Sequence, residues 1–496
     1  MMIVSILVAI LIIVITGSFY LRKRKNHPPG PFQWPLIGNL PLLRKLSRAL
    51  GGQHFAILEL SRIYSSDVIA LRLGGSNVVT VSGREGVKKI LHSEEYDGRP
   101  WNEFIKLRNM GNRNGITMTD GPEWQKMRSW VVRSLRSVGF GRREMSDLLS
   151  EELQDVLKRI DGGGVRRLKP IFTPAVINVL WTLATGHRFC EGKKLQYFID
   201  LMERRARAFD MAGGVLSAIP WIRHIAPESS GYNLLTTINR EVKAFLMETI
   251  DSHKANYEPG KNDDLINMFL DEMYSEKETA RSFTDDQLVM VMMDLFIAGV
   301  NTTATTLDFL FLNMVINQEV QKKVQQEIDE IVGNSRTLDL NDRAKLPYTE
   351  AVMTESQRMC TVTPIIGPRR VLQETTLLGY EIPKETTILI NLWSLHMNPE
   401  YYPEPDKFDP ERFIKNGLYV PDENLVLFGK GKRRCPGEVL ARSALYLLFA
   451  GVLQHFQLLP VPGEEPPKLV RLPGLTISPK QYDVLLSPRK IGAPQS

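Results

Sequence analysis

Cysteine is scarce. Cys190, Cys360 and Cys435 are the only three in 496 residues, too few and too widely spaced for a disulfide framework or a four-ligand zinc site. Such thiols suit a reducing compartment. Charge of one sign is also lacking: 62 Lys and Arg against 56 Asp and Glu leave a net +6. No dense basic stripe with interleaved aromatics accompanies that surplus, which argues against nucleic acid as a partner. No repeat, low-complexity tract or linker divides residues 40–490. Dinucleotide and flavin fingerprints are missing too, so any electrons the chain uses must come from a partner. The composition that remains, 43% hydrophobic and 24% charged, is that of a globular body and excludes wholesale disorder.

A charge-free apolar run, Met1 to Leu21, is followed at once by Arg22-Lys23-Arg24-Lys25. About twenty such residues cross a hydrocarbon core as a helix, and the positive flank places everything after Arg22 on the cytoplasmic side. No positive region precedes the run and no clear cleavage site follows it, which argues against a signal peptide. Residues 1–21 read as a membrane anchor and 22–39 as a basic, proline-rich hinge stiffened by Pro28-Pro29-Gly30-Pro31. Residues 40–496 read as one body.

Within that body, Val68 to Val81 reads as a hairpin turning at Gly74-Gly75-Ser76-Asn77, and Thr375 to Asn391 as a second, turning at Pro383-Lys384-Glu385. Most of the rest is helical. Thr284-Asp285-Asp286-Gln287 fits a capping box opening a helix from Asp285 to about Val315, apolar almost all round and therefore buried at the centre. Asn317 caps a further helix carrying Val320, Val324, Ile328 and Ile331, stopped at Gly333. The fold class is mainly α with small β-sheets.

The densest chemistry lies at Phe428-Gly-Lys-Gly431-Lys-Arg433-Arg434-Cys435-Pro436-Gly437-Glu438. Gly431 admits backbone conformations closed to other residues, and Gly437 allows close approach to a flat ligand. Pro436 suits the first position of a helix that Val439 to Val452 supplies. Cys435 then sits at a helix N-terminus beside Arg433 and Arg434, where the dipole and the cations lower a thiol pKa. A single thiolate suits haem iron, whose other ligands come from the porphyrin. Phe428 would shield the sulfur and Arg433 pair with a propionate. The alternative is a structural cysteine on a turn, against which stands the agreement of five positions with F-x-x-G-x-R-x-C-x-G.

With these residues the chain resembles the cytochromes P-450, haem-thiolate monooxygenases, over essentially its whole length. Glu355-Ser-Gln-Arg358 is similar to the family's E-x-x-R and Pro410-Glu411-Arg412-Phe413 to its P-E-R-F element. Glu355, Arg358 and Arg412 can meet in a buried ion-paired cluster that supports the haem site. Ala298-Gly299-Val300-Asn301-Thr302-Thr303 resembles A/G-G-x-D/E-T-T, with Asn301 where most members carry an acid. By that resemblance Ala298 and Gly299 open room for dioxygen and Thr302 steers protons, while an amide at 301 cannot relay a proton as a carboxylate does. Trp124-x-x-x-Arg128 resembles the W-x-x-x-R helix whose side chains donate to the propionates, and Arg99 and Arg369 occupy positions of further donors.

The resemblance implies a cytochrome P-450 fold with one N-terminal transmembrane helix, haem b on Cys435, and NADPH used through NADPH–cytochrome P-450 reductase, with cytochrome b5 as a second donor. It implies the endoplasmic reticulum membrane, the catalytic domain cytoplasmic. Substrate-facing positions fall at Trp101 to Ile116, Phe209 to Leu216, Phe296 and Ala298, Val362 to Ile366, and Leu475 with Thr476. Most are apolar, which implies a lipophilic small molecule. Gly51-Gly52-Gln53-His54 and Asp97 to Gly121 are similar to insect members of the microsomal clan and point to epoxidation of a terpenoid such as methyl farnesoate. Hydroxylation of a steroid or foreign compound is the alternative. Readings of another class are a reductase-independent haem-thiolate isomerase or dehydratase, which Asn301 favours and Thr302 opposes, and a non-catalytic haem sensor.

Overall fold

The computed structural model describes residues 26–189, 192–208, 214–333, 336–474 and 476–489. The anchor expected over 1–21, the basic run Arg22 to Lys25, Cys190, Phe209 and Leu475 lie outside them. The described residues are mainly helical with small sheets.

The central helix spans Asp285–Ile316, close to the expected bounds. Thr284 Oγ1 accepts the Gln287 N–H at 3.2 Å. The Gln287 side chain does not reciprocate; its oxygen accepts the Gly115 N–H at 3.2 Å, so only half of the capping box forms. Asp285 and Asp286 suit the positive end of the helix and pair with Lys254 and Lys243 at 2.6 and 2.7 Å. Among the described residues this is the one helix long and apolar enough to cross a membrane. Its place is the core, against Lys169–Thr185, Glu438–His455 and Pro347–Cys360, where Phe311 stacks on Phe172 with ring centroids 4.8 Å apart. A Cβ on Gly299 would stand 2.6 Å from Leu180, so glycine there lets the helix Lys169–Thr185 come close.

The first hairpin pairs Val68–Leu73 with Ser76–Val81, its turn shortened to Gly74-Gly75. The second differs from expectation. Thr375–Leu377 pairs with Tyr380–Ile382 across Leu378 and Gly379, both at positive φ (+49° and +84°). Two such residues make the turn that matches strand twist, and a leucine there hides it from a composition-based reading. Thr387–Asn391 belongs instead to the four-stranded sheet, between Ser76–Val81 and Ile365–Arg370.

The helix Pro347–Cys360 brings the expected ion cluster together. Arg358 donates to both oxygens of Glu355 at 2.7 and 2.8 Å, and to the carbonyls of His396 and Pro405 at 2.7 Å each. Both side chains are wholly buried. Arg412 Nε lies 3.4 Å from Glu355, an ion pair by distance without hydrogen-bond geometry.

Candidate functional site

The loop 428–437 closes on itself through the Cys435 N–H, which donates to the Phe428 carbonyl at 2.8 Å. Gly431 has φ +71°, and a Cβ there would stand 2.4 Å from the Leu91 carbonyl oxygen, so no other residue fits. The helix after the loop begins at Glu438, with Gly437 as its cap, leaving Pro436 outside rather than at the first helical position. The Phe428 ring carries the Arg442 guanidinium 4.9 Å from its centroid.

Cys435 retains accessible surface. The lowered thiol pKa expected from the sequence is not what its surroundings produce. Burial pushes the thiol up and Glu438 adds to that, against the Gly437 N–H, Arg128 and Arg434. A metal that coordinates a thiol deprotonates it outright, so the protein need not do so alone. Among the described residues no three of His, Cys, Asp and Glu converge on one point. Cys435 could therefore serve only as a single protein ligand.

Four guanidiniums gather beside the loop. Arg433 donates to the Asp97 carbonyl at 2.6 and 2.9 Å and to Thr119 O at 2.8 Å. Its guanidinium lies 3.5 Å from the centre of the Trp124 ring. Arg369 pairs with the Asp97 carboxylate at 2.6 Å. Arg128 donates to the Arg434 carbonyl, and Arg99 to the carbonyls of Gly367 and Pro368 at 2.7 and 2.6 Å. Burial and then the neighbouring Arg433, Arg369 and Arg128 hold Arg99 well below its ordinary pKa. Burial followed by Arg369 brings Arg433 down to about 9. The Arg99 Nε is buried and finds no partner among the described residues. So much positive charge with so little to answer it could hold a ligand bearing carboxylates. Trp124 does not join the donors: its indole N–H goes to Ile116 O at 2.9 Å, and the ring serves as a platform for Arg433.

On the central helix, Ala298 is exposed although most of its neighbours are buried, so a space opens beside it. Gly299 instead faces Leu180 and makes room for packing, not for a small ligand. The Thr302 hydroxyl donates to the Ala298 carbonyl at 2.6 Å, which leaves its lone pairs free to accept. Asn301 Nδ2 donates to Thr476 Oγ1 at 2.7 Å, tying the helix to a late turn.

The expected substrate walls divide. Thr476 lies beside Asn301, and Leu216 packs with Phe104, Ile105 and Met118. Phe296 turns away into an aromatic core, its ring 5.1 Å from Phe198 and 5.6 Å from Trp181. Two acids escaped the sequence reading. Asp97 anchors two of the arginines; its place in Asp97-Gly98-Arg99-Pro100 was the only available signal. Asp294 holds Arg108 at 2.6 Å and the Ile116 and Thr117 N–H groups at 2.7 and 2.8 Å.

Comparison with known proteins gives one family for nearly the whole chain. The cytochrome P-450 family model matches residues 28–486. A probable cytochrome P-450 305a1 of Drosophila melanogaster is 39% identical over 476 residues, 93% of this chain and 94% of the relative. A farnesoate epoxidase of Bombyx mori is 35% identical over 493 residues, 98% and 99% of the two chains. Human cytochrome P-450 2J2 is 31% identical over 498 residues, 98% and 96%. The chain therefore belongs to the cytochrome P-450 family, whose members are haem-thiolate monooxygenases, and family membership implies a haem held by a cysteine thiolate.

Proposed function

We propose that Cys435 is the axial ligand of a haem b and that the chain is a membrane-anchored monooxygenase acting on a lipophilic small molecule. One observation carries this: a cysteine with open surface stands beside four crowded guanidiniums, one of which has a buried Nε without a partner. Arg99, Arg128, Arg369 and Arg433 would hold the propionates, with Trp124 beneath Arg433. Gly437 would let the loop backbone lie against the ring, and Phe428 would cover the sulfur. Bound there, the group would supply dioxygen activation, one oxygen atom entering the substrate and the other leaving as water.

The remaining roles fall to the chain. The space beside Ala298 admits the small reactant, and Thr302 Oγ1 accepts and passes a proton there. Electrons come from NADPH through NADPH–cytochrome P-450 reductase, with cytochrome b5 as a second donor. The segment 1–21 anchors the protein in the endoplasmic reticulum membrane with residues 40–496 on the cytoplasmic side. Support for that is the charge asymmetry about Arg22.

Epoxidation of a terpenoid such as methyl farnesoate is the preferred specific reaction, supported by the likeness to a farnesoate epoxidase. Membranes holding the protein and a reductase, given farnesoate or methyl farnesoate, should yield an NADPH-dependent product heavier by one oxygen. No product, from a preparation with an intact haem-thiolate spectrum, would discard this substrate and move the search to steroids and foreign lipophiles. Conversion of an organic peroxide without NADPH, its mass unchanged or lower by one water, would favour the isomerase or dehydratase instead. Thr302→Ala should keep NADPH consumption and lower product per NADPH by about tenfold or more, as loss of a proton-transfer group does. Unchanged coupling would remove Thr302 from the reaction.

A further inference from the structure

Behind the central helix lies a cavity of about 1100 Å³ whose wall includes Asn301 and Asp308 of that helix. They are seven positions apart, about two turns, so both face the same side. Thr476, the partner of Asn301, and Tyr482 line it from the C-terminal segment, and Lys169 from the helix Lys169–Thr185. The rim includes the exposed Arg48 and Arg167, which opens the cavity to solvent. Asp308 is only 9% exposed. The sequence therefore lacks a carboxyl at 301, where most of the family has one, and places a carboxyl two turns on in the same solvent-connected cavity.

We infer that Asp308 is the proton-supply residue of the oxygen site, passing protons from solvent through water in this cavity toward Asn301 and Thr302 in place of the acid missing at 301. The inference rests on the monooxygenase reading. Insertion of one oxygen atom from dioxygen takes up two electrons, from NADPH through the reductase, and two protons from solvent, and releases one water. Asp308 donates a proton inward and is reloaded from the cavity mouth, so it ends each turnover unchanged. Asn301 cannot carry the proton, but its carbonyl oxygen can hold a water in the file. Geometry is supported by acidity: burial pushes the carboxyl up to about 6, against Lys169 and Tyr482, which pull it down. The other charged groups on the cavity wall are Arg44, Arg48, Arg167 and Glu203.

The test uses the full chain in membranes with reductase and NADPH. Asp308→Asn should keep the carbon-monoxide band and NADPH consumption while product per NADPH falls about tenfold. Wild-type yield should decline along a limb near pH 6, and the variant should lose that limb. Adding Asn301→Asp should restore the yield, which a purely structural role for Asp308 would not allow. Lys169→Met, which removes a cation that holds the carboxyl down, should move the limb to higher pH. Melting gives a readout apart from turnover. The folded-state pKa is raised from 3.8 to about 6, so stability is lost as pH rises between those values and the cost persists above them. Asp308→Asn should thus melt higher than wild type at pH 8 and level with it below pH 4. Unchanged product per NADPH in Asp308→Asn with its band intact, or a limb unmoved by Lys169→Met, would overturn the inference. If wild type shows the band but forms no NADPH-dependent product from any lipophile, the monooxygenase reading fails and takes this inference with it.

Discussion

Cys435→Ser should lose the carbon-monoxide band of the haem-thiolate form and all NADPH-dependent product, while Cys360→Ser should keep both. The contrast follows from where the two thiols sit. Cys435 is on a loop with open surface, beside cations and at the approach to a helix N-terminus. Cys360 is 1% exposed, packed with Phe309, Met359 and Trp393, and burial pushes its thiol up to about 12. A thiol so placed neither ionises near neutral pH nor meets a ligand. Serine offers a hard oxygen of far higher pKa, so iron held by it would lack the thiolate signature. Survival of the band in Cys435→Ser would mean that the ligand is another residue. Its loss in Cys360→Ser would mean that the second cysteine supports the site through packing.

Arg358→Ala is expected to cost about 3–5 kcal/mol, the range for breaking a buried ion pair by removing one partner. The variant leaves Glu355 as a carboxylate with no exposed surface and deprives the carbonyls of His396 and Pro405 of donors. The remaining partners, the Asp409 N–H at 3.0 Å and Arg412 at 3.4 Å, cannot answer a full charge. A stability near the usual 5–15 kcal/mol loses a large share at once. Poor accumulation of folded protein and a markedly lower melting temperature should follow. Arg358→Lys should rescue little, because four directed hydrogen bonds need the planar fork. A melting temperature within a degree or two of wild type would show the cluster to be dispensable.

How much of this was legible beforehand depends on the kind of signal. The cysteine loop, the Glu355–Arg358 pair and the central helix are local patterns in which spacing alone dictates geometry. The helix and the ion pair emerged nearly as read; the loop turned as read but left Pro436 outside the helix and its thiol pushed up rather than down. The second hairpin did not, because Leu378 and Gly379 turn the chain where composition suggested Pro383. Asp294 and Arg108 are 186 residues apart, so no window along the chain holds both. The Trp124 indole donates to a backbone carbonyl. Backbone acceptors carry no residue-type signature. Gly299 illustrates a further limit: a small residue announces space without saying who takes it, and here Leu180 does.

The crowded guanidiniums bear on biogenesis. Arg99, Arg128, Arg369 and Arg433 repel one another in a poorly hydrated place, and Asp97 with Asp120 answers only part of the charge. A dianion that settles among them removes that repulsion, so its binding energy is spent on completing the fold. Maturation of the chain and loading of the proposed prosthetic group would then be a single event. Cellular supply of the group, more than the rate of translation, would govern how many finished molecules escape proteolysis.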